Sequence, residues 1–138
     1  MAQTANPETP AADPDKALGR WVSKAGDSQT EIFKSGGTYS GRLLAGWGNA
    51  LYEPDGTTPR LDTRNPNPAL RTQPLRNAVI LSDLKYEHGE YQHGTYYDPR
   101  SGRTFGCIMR LRGETLEIRI FVKFKLLGVT KTWTRIPG

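Results

Sequence analysis

The chain has 138 residues, 36% of them hydrophobic and 24% charged, which is the size and composition of one water-soluble domain with a core of its own. No apolar run approaches the ~20 residues that a membrane-spanning helix needs, and a single cysteine, Cys107, excludes an intrachain disulfide and a cysteine metal cluster. The net charge of +5 favours anionic partners, but the basic residues are scattered, which is typical of a solvated surface.

Residues 1–17 are polar and contain three prolines. This composition predicts a disordered N-terminal lead-in, followed by one domain over residues 18–138. The lead-in has no apolar segment of the kind that defines a signal peptide. That absence does not settle localisation, since a leader is removed from a mature exported protein.

From residue 18 onward, short runs of β-forming residues alternate with turn residues such as Gly36-Gly37. We predict eight strands, at residues 18–24, 30–35, 38–46, 78–86, 91–98, 103–112, 115–124 and 129–136. All connections are short except one. Residues 47–77 are rich in proline and show little periodicity, which predicts a long loop between the third and fourth strands. Long ordered loops often carry function.

The two strands after residue 102 alternate strictly between apolar and polar side chains, which is typical of a sheet with one buried face. The apolar stripe consists of Phe105, Cys107, Met109 and Leu111 with Leu116, Ile118, Ile120 and Val122. Eight antiparallel strands joined in sequence are enough to close into a barrel without exposed edges. We therefore predict an all-β, up-and-down barrel whose interior is either filled by this stripe or holds one small ligand.

The first and last strands carry the residues that would close such a barrel. Gly19 and Trp21 begin the first strand, and Trp133 and Arg135 end the last one. If the two strands pair, the Arg135 guanidinium can stack on the Trp21 ring, which contributes roughly 0.5–2 kcal/mol. We predict a structural role in barrel closure for all four residues.

Five motifs, in this order along the chain, resemble the DUF2147 family of small, mostly exported bacterial proteins of unassigned function. They are Gly19-Arg20-Trp21, Tyr39-Ser40-Gly41-Arg42-Leu43, Asp62-Thr63-Arg64-Asn65-Pro66, the stretch 97–105, and Leu126-Leu127-Gly128 with Thr132-Trp133-Thr134-Arg135. The resemblance implies a lipocalin-like barrel and a periplasmic or secreted protein. The closing Gly-x-Trp and Arg are also the residues that lipocalins use at their closed end.

The motif in the long loop has two interpretations. In the functional one, the loop is a lid over the barrel mouth, and Asp62 and Arg64 contact a ligand. In the structural one, Asp62 and Asn65 cap turns through their own backbone, as these residue types commonly do.

Tyrosines and the apolar stripe are the other candidates for a ligand site. Tyrosine offers apolar area with a polar tip, so it suits a pocket, but it also packs well across strands. The candidates on the barrel interior and rim are Tyr39, Tyr97, Phe105, Met109, Ile118 and Ile120. The further tyrosines of this group are Tyr86, Tyr91 and Tyr96.

The sequence gives little support for metal, enzyme or nucleic-acid chemistry. His88 and His93 lack an evident third ligand, and the common nucleophile and phosphate-binding motifs are missing. Phe121 between Arg119 and Lys123 is one exposed aromatic residue, which is too little for a base-stacking surface. We therefore expect no catalytic residue, no metal, no cofactor and no nucleic-acid partner.

These observations favour binding or transport of a small hydrophobic or amphipathic ligand in the barrel. A basic rim would favour an acidic head group, and its candidate residues are Arg42, Arg64, Arg76 and Arg110. The alternative is a filled barrel that acts as an interaction module in the cell envelope, with the long loop as its partner surface.

Overall fold

Eight antiparallel strands close into a barrel in the computed structural model, which describes residues 13–46, 51–122 and 128–137. The strands are β1 Gly19–Ser23, β2 Ser28–Ser35, β3 Thr38–Gly46, β4 Val79–Glu87, β5 Glu90–Asp98, β6 Arg103–Arg112, β7 Thr115–Phe121 and β8 Gly128–Arg135. Each strand pairs with the next along the chain, and β8 pairs with β1. The predicted fold class is confirmed, and Lys123 and Phe124 of the predicted seventh strand lie outside the described residues.

The segment just before β1 differs from the prediction, which placed it in a disordered lead-in. Pro14–Ala17 forms a 3-10 helix, and the side chain of Asp13 caps it by accepting a hydrogen bond from the Asp15 amide at 3.0 Å. Ala17 is fully buried, and the Tyr91 hydroxyl donates to the Pro14 carbonyl at 2.5 Å. The proline that suggested disorder therefore starts a helix, where a missing amide hydrogen costs nothing.

This helix and the C-terminal strand together close one end of the barrel. Trp21 of β1 lies opposite Arg135 of β8, and the guanidinium carbon of Arg135 is 4.3 Å from the centroid of the Trp21 ring. Nη1 of Arg135 donates to the Leu18 carbonyl at 3.0 Å, and Nε1 of Trp21 donates to the Ala17 carbonyl at 2.9 Å. Gly19 has a φ of +121°, and a β-carbon there would lie 3.1 Å from Arg135 Nη1.

The interior next to this closed end is packed with side chains. Trp21, Met109, Leu116 and Ile118 are fully buried, and they come from β1, β6 and β7 as the apolar alternation requires. Three tyrosines join them, with the ring centroids of Tyr39 and Tyr86 lying 5.3 Å and 4.9 Å from that of Tyr91 in edge-on arrangements. Edge-on pairs add to the burial of apolar area.

A paired irregularity in β4 and β5 was not predicted. Asp83 and His93 both have a positive φ, of 62° and 66°, although neither is glycine. The register between β5 and β6 shifts between Tyr91 and Gly94, and a β-carbon on Gly94 would clash with the Leu84 side chain. The strands bend here, and Leu84 packs against the backbone of Gly94, which has no side chain in the way. Bulges and glycines commonly serve this purpose in barrels.

Replacing Arg135 with Met should destabilise the barrel by about 2–4 kcal/mol. The change removes the stacking on Trp21 and leaves the partly buried Leu18 carbonyl without a charged donor. Urea unfolding followed by circular dichroism measures the free energy of unfolding.

The matched control is Arg112→Met, because Arg112 is exposed and, among the described residues, its ion pair is with Glu117, at 3.0 Å. Surface pairs of this kind contribute less than about 1 kcal/mol. Equal destabilisation by the two variants would contradict a special role for Arg135 in closure.

Candidate functional site

Because successive strands run in opposite directions, the connections between them lie alternately at one end of the barrel and at the other. The 3-10 helix, the tight turns before β3, β5 and β7, and the segment after Arg135 gather at the closed end. The β1–β2 turn, the long loop between β3 and β4, and the turn at 99–102 gather at the other, open end.

A cavity of about 410 Å³ lies at the open end, and we call it the mouth cavity. Its base is made of buried side chains, namely Thr30, Leu43, Ile80, Tyr96 and Trp133. Its rim is polar and more exposed, and consists of Ser23, Lys24, Ala25, Asp27, Ser28, Arg100, Thr130, Lys131 and Thr132. The cavity is therefore amphipathic, and its volume falls at the small end of the range for ligand pockets.

The rim of the mouth cavity carries more available positive than negative charge. The Asp27 carboxylate accepts a hydrogen bond from the Ser23 hydroxyl at 2.6 Å, and Arg100 contacts Asp98 at 3.3 Å. Lys24 and Lys131 have no acidic partner within the described ranges. An anionic group at the rim would therefore meet two ammonium groups and one carboxylate, that of Asp27, so the local balance of charge favours an anion.

The long loop is organised around the carboxylate of Asp62, which is only 1% exposed. It accepts hydrogen bonds from the Tyr97 hydroxyl at 2.7 Å, from the side-chain amide of Asn65 at 2.8 Å and from that of Gln73 at 3.0 Å. Burial, together with the bond to Asp62, raises the pKa of Tyr97. Asp62 thus fastens the loop to β5, and the predicted contact between Asp62 and a ligand is replaced by this structural role.

Arg64 lies in a second cavity, also of about 410 Å³, where the loop meets the turn at 99–102. We call it the loop cavity, and it is lined by Glu53, Arg60, Leu61, Thr63, Arg64, Leu75, Pro99 and Arg100. Arg64 donates through Nη1 to the Arg100 carbonyl. The loop approaches the turn so closely that a β-carbon on Gly102 would clash with the Arg64 carbonyl.

The other predicted ligand residues do not line either cavity. Met109 and Ile118 are fully buried and Ile120 nearly so, and they fill the barrel. Phe105 is half-buried beneath the Arg103 guanidinium, 5.3 Å from its ring centroid. Tyr39 lies at the closed end, where its hydroxyl donates to Asp15 at 2.5 Å; burial and this bond raise its pKa to about 12.

The predicted basic rim is wrong, because its four arginines are dispersed. Arg42 lies on the outside of the barrel and bonds Glu31 at 2.8 Å. Arg110 pairs with Glu90, and Arg76 lines a separate outer cavity beside Arg20. The side-chain alternation along β8, which turns Lys131 and Trp133 to the same face, was the signal that could have identified the rim.

Cys107, the single cysteine, is buried inside the barrel, and burial raises its pKa to about 12. His93 instead contacts Glu87, at 2.9 Å. No group of three His, Cys, Asp or Glu side chains is placed to hold a metal ion in the part of the chain that the structure describes. None of the helices in the described ranges has the length and apolar character that crossing a bilayer requires.

Comparisons with known proteins agree with this geometry. The family described as uncharacterized protein conserved in bacteria (DUF2147) matches residues 19–135. Protein HP1028 from Helicobacter pylori, described as belonging to the lipocalin family, has a similar solved structure with a TM-score of 0.72 and 25% sequence identity. The match covers 88% of this chain and 83% of that one. No curated protein matches the chain.

Tyr97→Phe should destabilise the protein by about 1–3 kcal/mol, because it leaves a buried carboxylate short of one donor. The loosened loop should also be cut faster by a protease under native conditions. Tyr52→Phe is the control, since the Tyr52 hydroxyl makes no hydrogen bond within the described chain. Equal cleavage rates in the two variants would argue against Asp62 as the anchor of the loop.

Cys107 should be almost inert to a thiol reagent in the folded protein. With a pKa of about 12, about one thiol in 10⁴ is ionised at pH 8, so the reaction should be about a thousandfold slower than in urea. Absorbance after addition of Ellman's reagent gives both rates. A fast reaction of the native protein would show that the barrel interior is open to solvent at Cys107.

Proposed function

This chain belongs to the DUF2147 family, and from that membership and its lipocalin-like barrel we propose that it binds a small amphipathic molecule with an acidic group. One observation carries the proposal. The mouth cavity joins a buried apolar base to a rim with two lysines that have no acidic partner among the residues the structure describes. A lipocalin-like fold supports small-ligand binding in general.

In the proposed complex, the apolar part of the ligand lies against Leu43, Ile80 and Trp133, where it leaves water. Each buried methylene contributes about 0.8 kcal/mol. The acidic group stays at the rim near Lys24 and Lys131. Because side chains fill the interior of the barrel, the ligand stays at the open end and does not enter the interior.

We propose a binding or transport role rather than catalysis. The family description assigns no activity, and the lipocalin-like fold is consistent with a protein that is not an enzyme. We also propose that the protein is periplasmic or secreted, which fractionation of the native host with a specific antibody tests.

The second candidate is an interaction module that uses the long loop as its partner surface. The packed interior favours it, and so does the loop's anchoring through Asp62. Native mass spectrometry of protein isolated from its own host separates the two candidates. A small extra mass that leaves on denaturation supports the ligand, whereas a second polypeptide supports the module.

Decanoate should bind the purified protein and change its tryptophan emission, because Trp133 lies in the cavity wall. The double variant Lys24→Gln/Lys131→Gln should weaken decanoate binding about tenfold by removing both cations. Its affinity for decanol should be unchanged, since the alcohol carries no charge.

The control is Lys16→Gln/Lys85→Gln, which changes the net charge equally but lies toward the closed end. Trp133→Phe should abolish most of the emission change. The proposal fails if decanoate does not bind, or if the two double variants weaken binding to the same extent.

A further inference from the structure

We propose that the loop cavity is a second binding site, and that it takes a carboxylate attached to a compact apolar group. This site is distinct from the mouth cavity, although Arg100 lines both. Leu61 and Arg64 line the loop cavity alone, and Lys131 lines the mouth cavity alone. The second site therefore does not depend on the function proposed above.

Arg64 supplies the charge that defines the ligand. Of the other ionic groups in the cavity, Arg60 and Glu53 contact each other at 3.6 Å, and Arg100 contacts Asp98. Arg64 has no carboxylate partner among residues 13–46, 51–122 and 128–137. One of its N–H groups serves the Arg100 carbonyl, and a guanidinium has five. The remaining fork matches the two oxygens of a carboxylate.

The wall beside Arg64 is apolar. Leu61 is 39% exposed although it is a large hydrophobic residue, and its neighbours in the cavity, Leu75 and Pro99, are buried. A small apolar group of a ligand can bury its surface against this wall while its carboxylate contacts Arg64. The apolar wall is short, with three side chains from Leu61, Leu75 and Pro99, and we therefore expect a leucine-sized group rather than a long chain.

The site is also pre-formed, because the loop is fixed on both sides of Arg64. The Asp62 carboxylate is held by three donors. The Asn65 amide donates to the Asp62 carbonyl at 3.2 Å, and the Asn65 carbonyl accepts from Arg71 Nε at 2.7 Å. A loop that is already ordered loses little conformational entropy when a ligand binds.

Two sources could provide this chemistry, namely a free branched-chain carboxylic acid and the C-terminal residue of a peptide. Isothermal titration with 4-methylpentanoate and with N-acetyl-leucine covers both. N-acetyl-leucinamide serves as the neutral counterpart. We expect at least one of the two acids to bind more tightly than about 1 mM and the amide not to bind.

Arg64→Gln should weaken binding of that acid about tenfold or more, because it removes a charge-assisted pair. Arg103→Gln is the matched control, because it removes one positive charge in the same way. Arg103 directly follows the turn at 99–102, which Arg64 contacts, but it lines neither cavity. Circular dichroism verifies that both variants are folded.

The proposal is overturned if neither acid binds, if the amide binds as well as the acids, or if Arg64→Gln and Arg103→Gln have equal effects. The Lys24→Gln/Lys131→Gln variant should bind the short acid like the wild type. A loss in that variant would place the acid in the mouth cavity and also overturn the second site.

Discussion

The pairing of the first strand with the last is the constraint on which the rest of the structure depends. Trp21 and Arg135 meet across that pair, 4.3 Å from ring centroid to guanidinium carbon, at the end where the 3-10 helix covers the interior. Because this end is covered and packed, we propose that ligands bind at the opposite end. The mouth cavity and the loop cavity both lie there.

The fold could be predicted because its signals are local. Alternation of apolar residues and short turns determine how many strands form, and eight consecutive strands can avoid free edges by closing. The helix at Pro14–Ala17 could not be predicted, because a proline-rich polar segment becomes ordered only through contacts with distant residues, such as the hydrogen bond that the Tyr91 hydroxyl donates to the Pro14 carbonyl. The positive φ of Asp83 and His93 likewise depends on packing between strands.

The candidate sites were harder to predict, because they depend on which distant residues meet. The Tyr97 hydroxyl donates to Asp62, which is 35 positions away in the sequence. Because of this contact, Asp62 holds the long loop on β5, although its motif also suggested a ligand contact. Lys131 was overlooked because a lone lysine in a strand resembles any solvated side chain. Only the barrel brings it beside Lys24, on a rim that also includes a turn from the other end of the sequence.

The hydrogen bond from the Ile136 amide to the Arg20 carbonyl, at 2.9 Å, places the first and last described residues of the domain at the same end of the barrel. A tether that joins the domain directly at Asp13 or at Pro137 would therefore be attached at the closed end of the barrel. With a short tether of that kind, on a sensor surface or a fusion partner, the two cavities would lie on the side of the barrel away from the attachment.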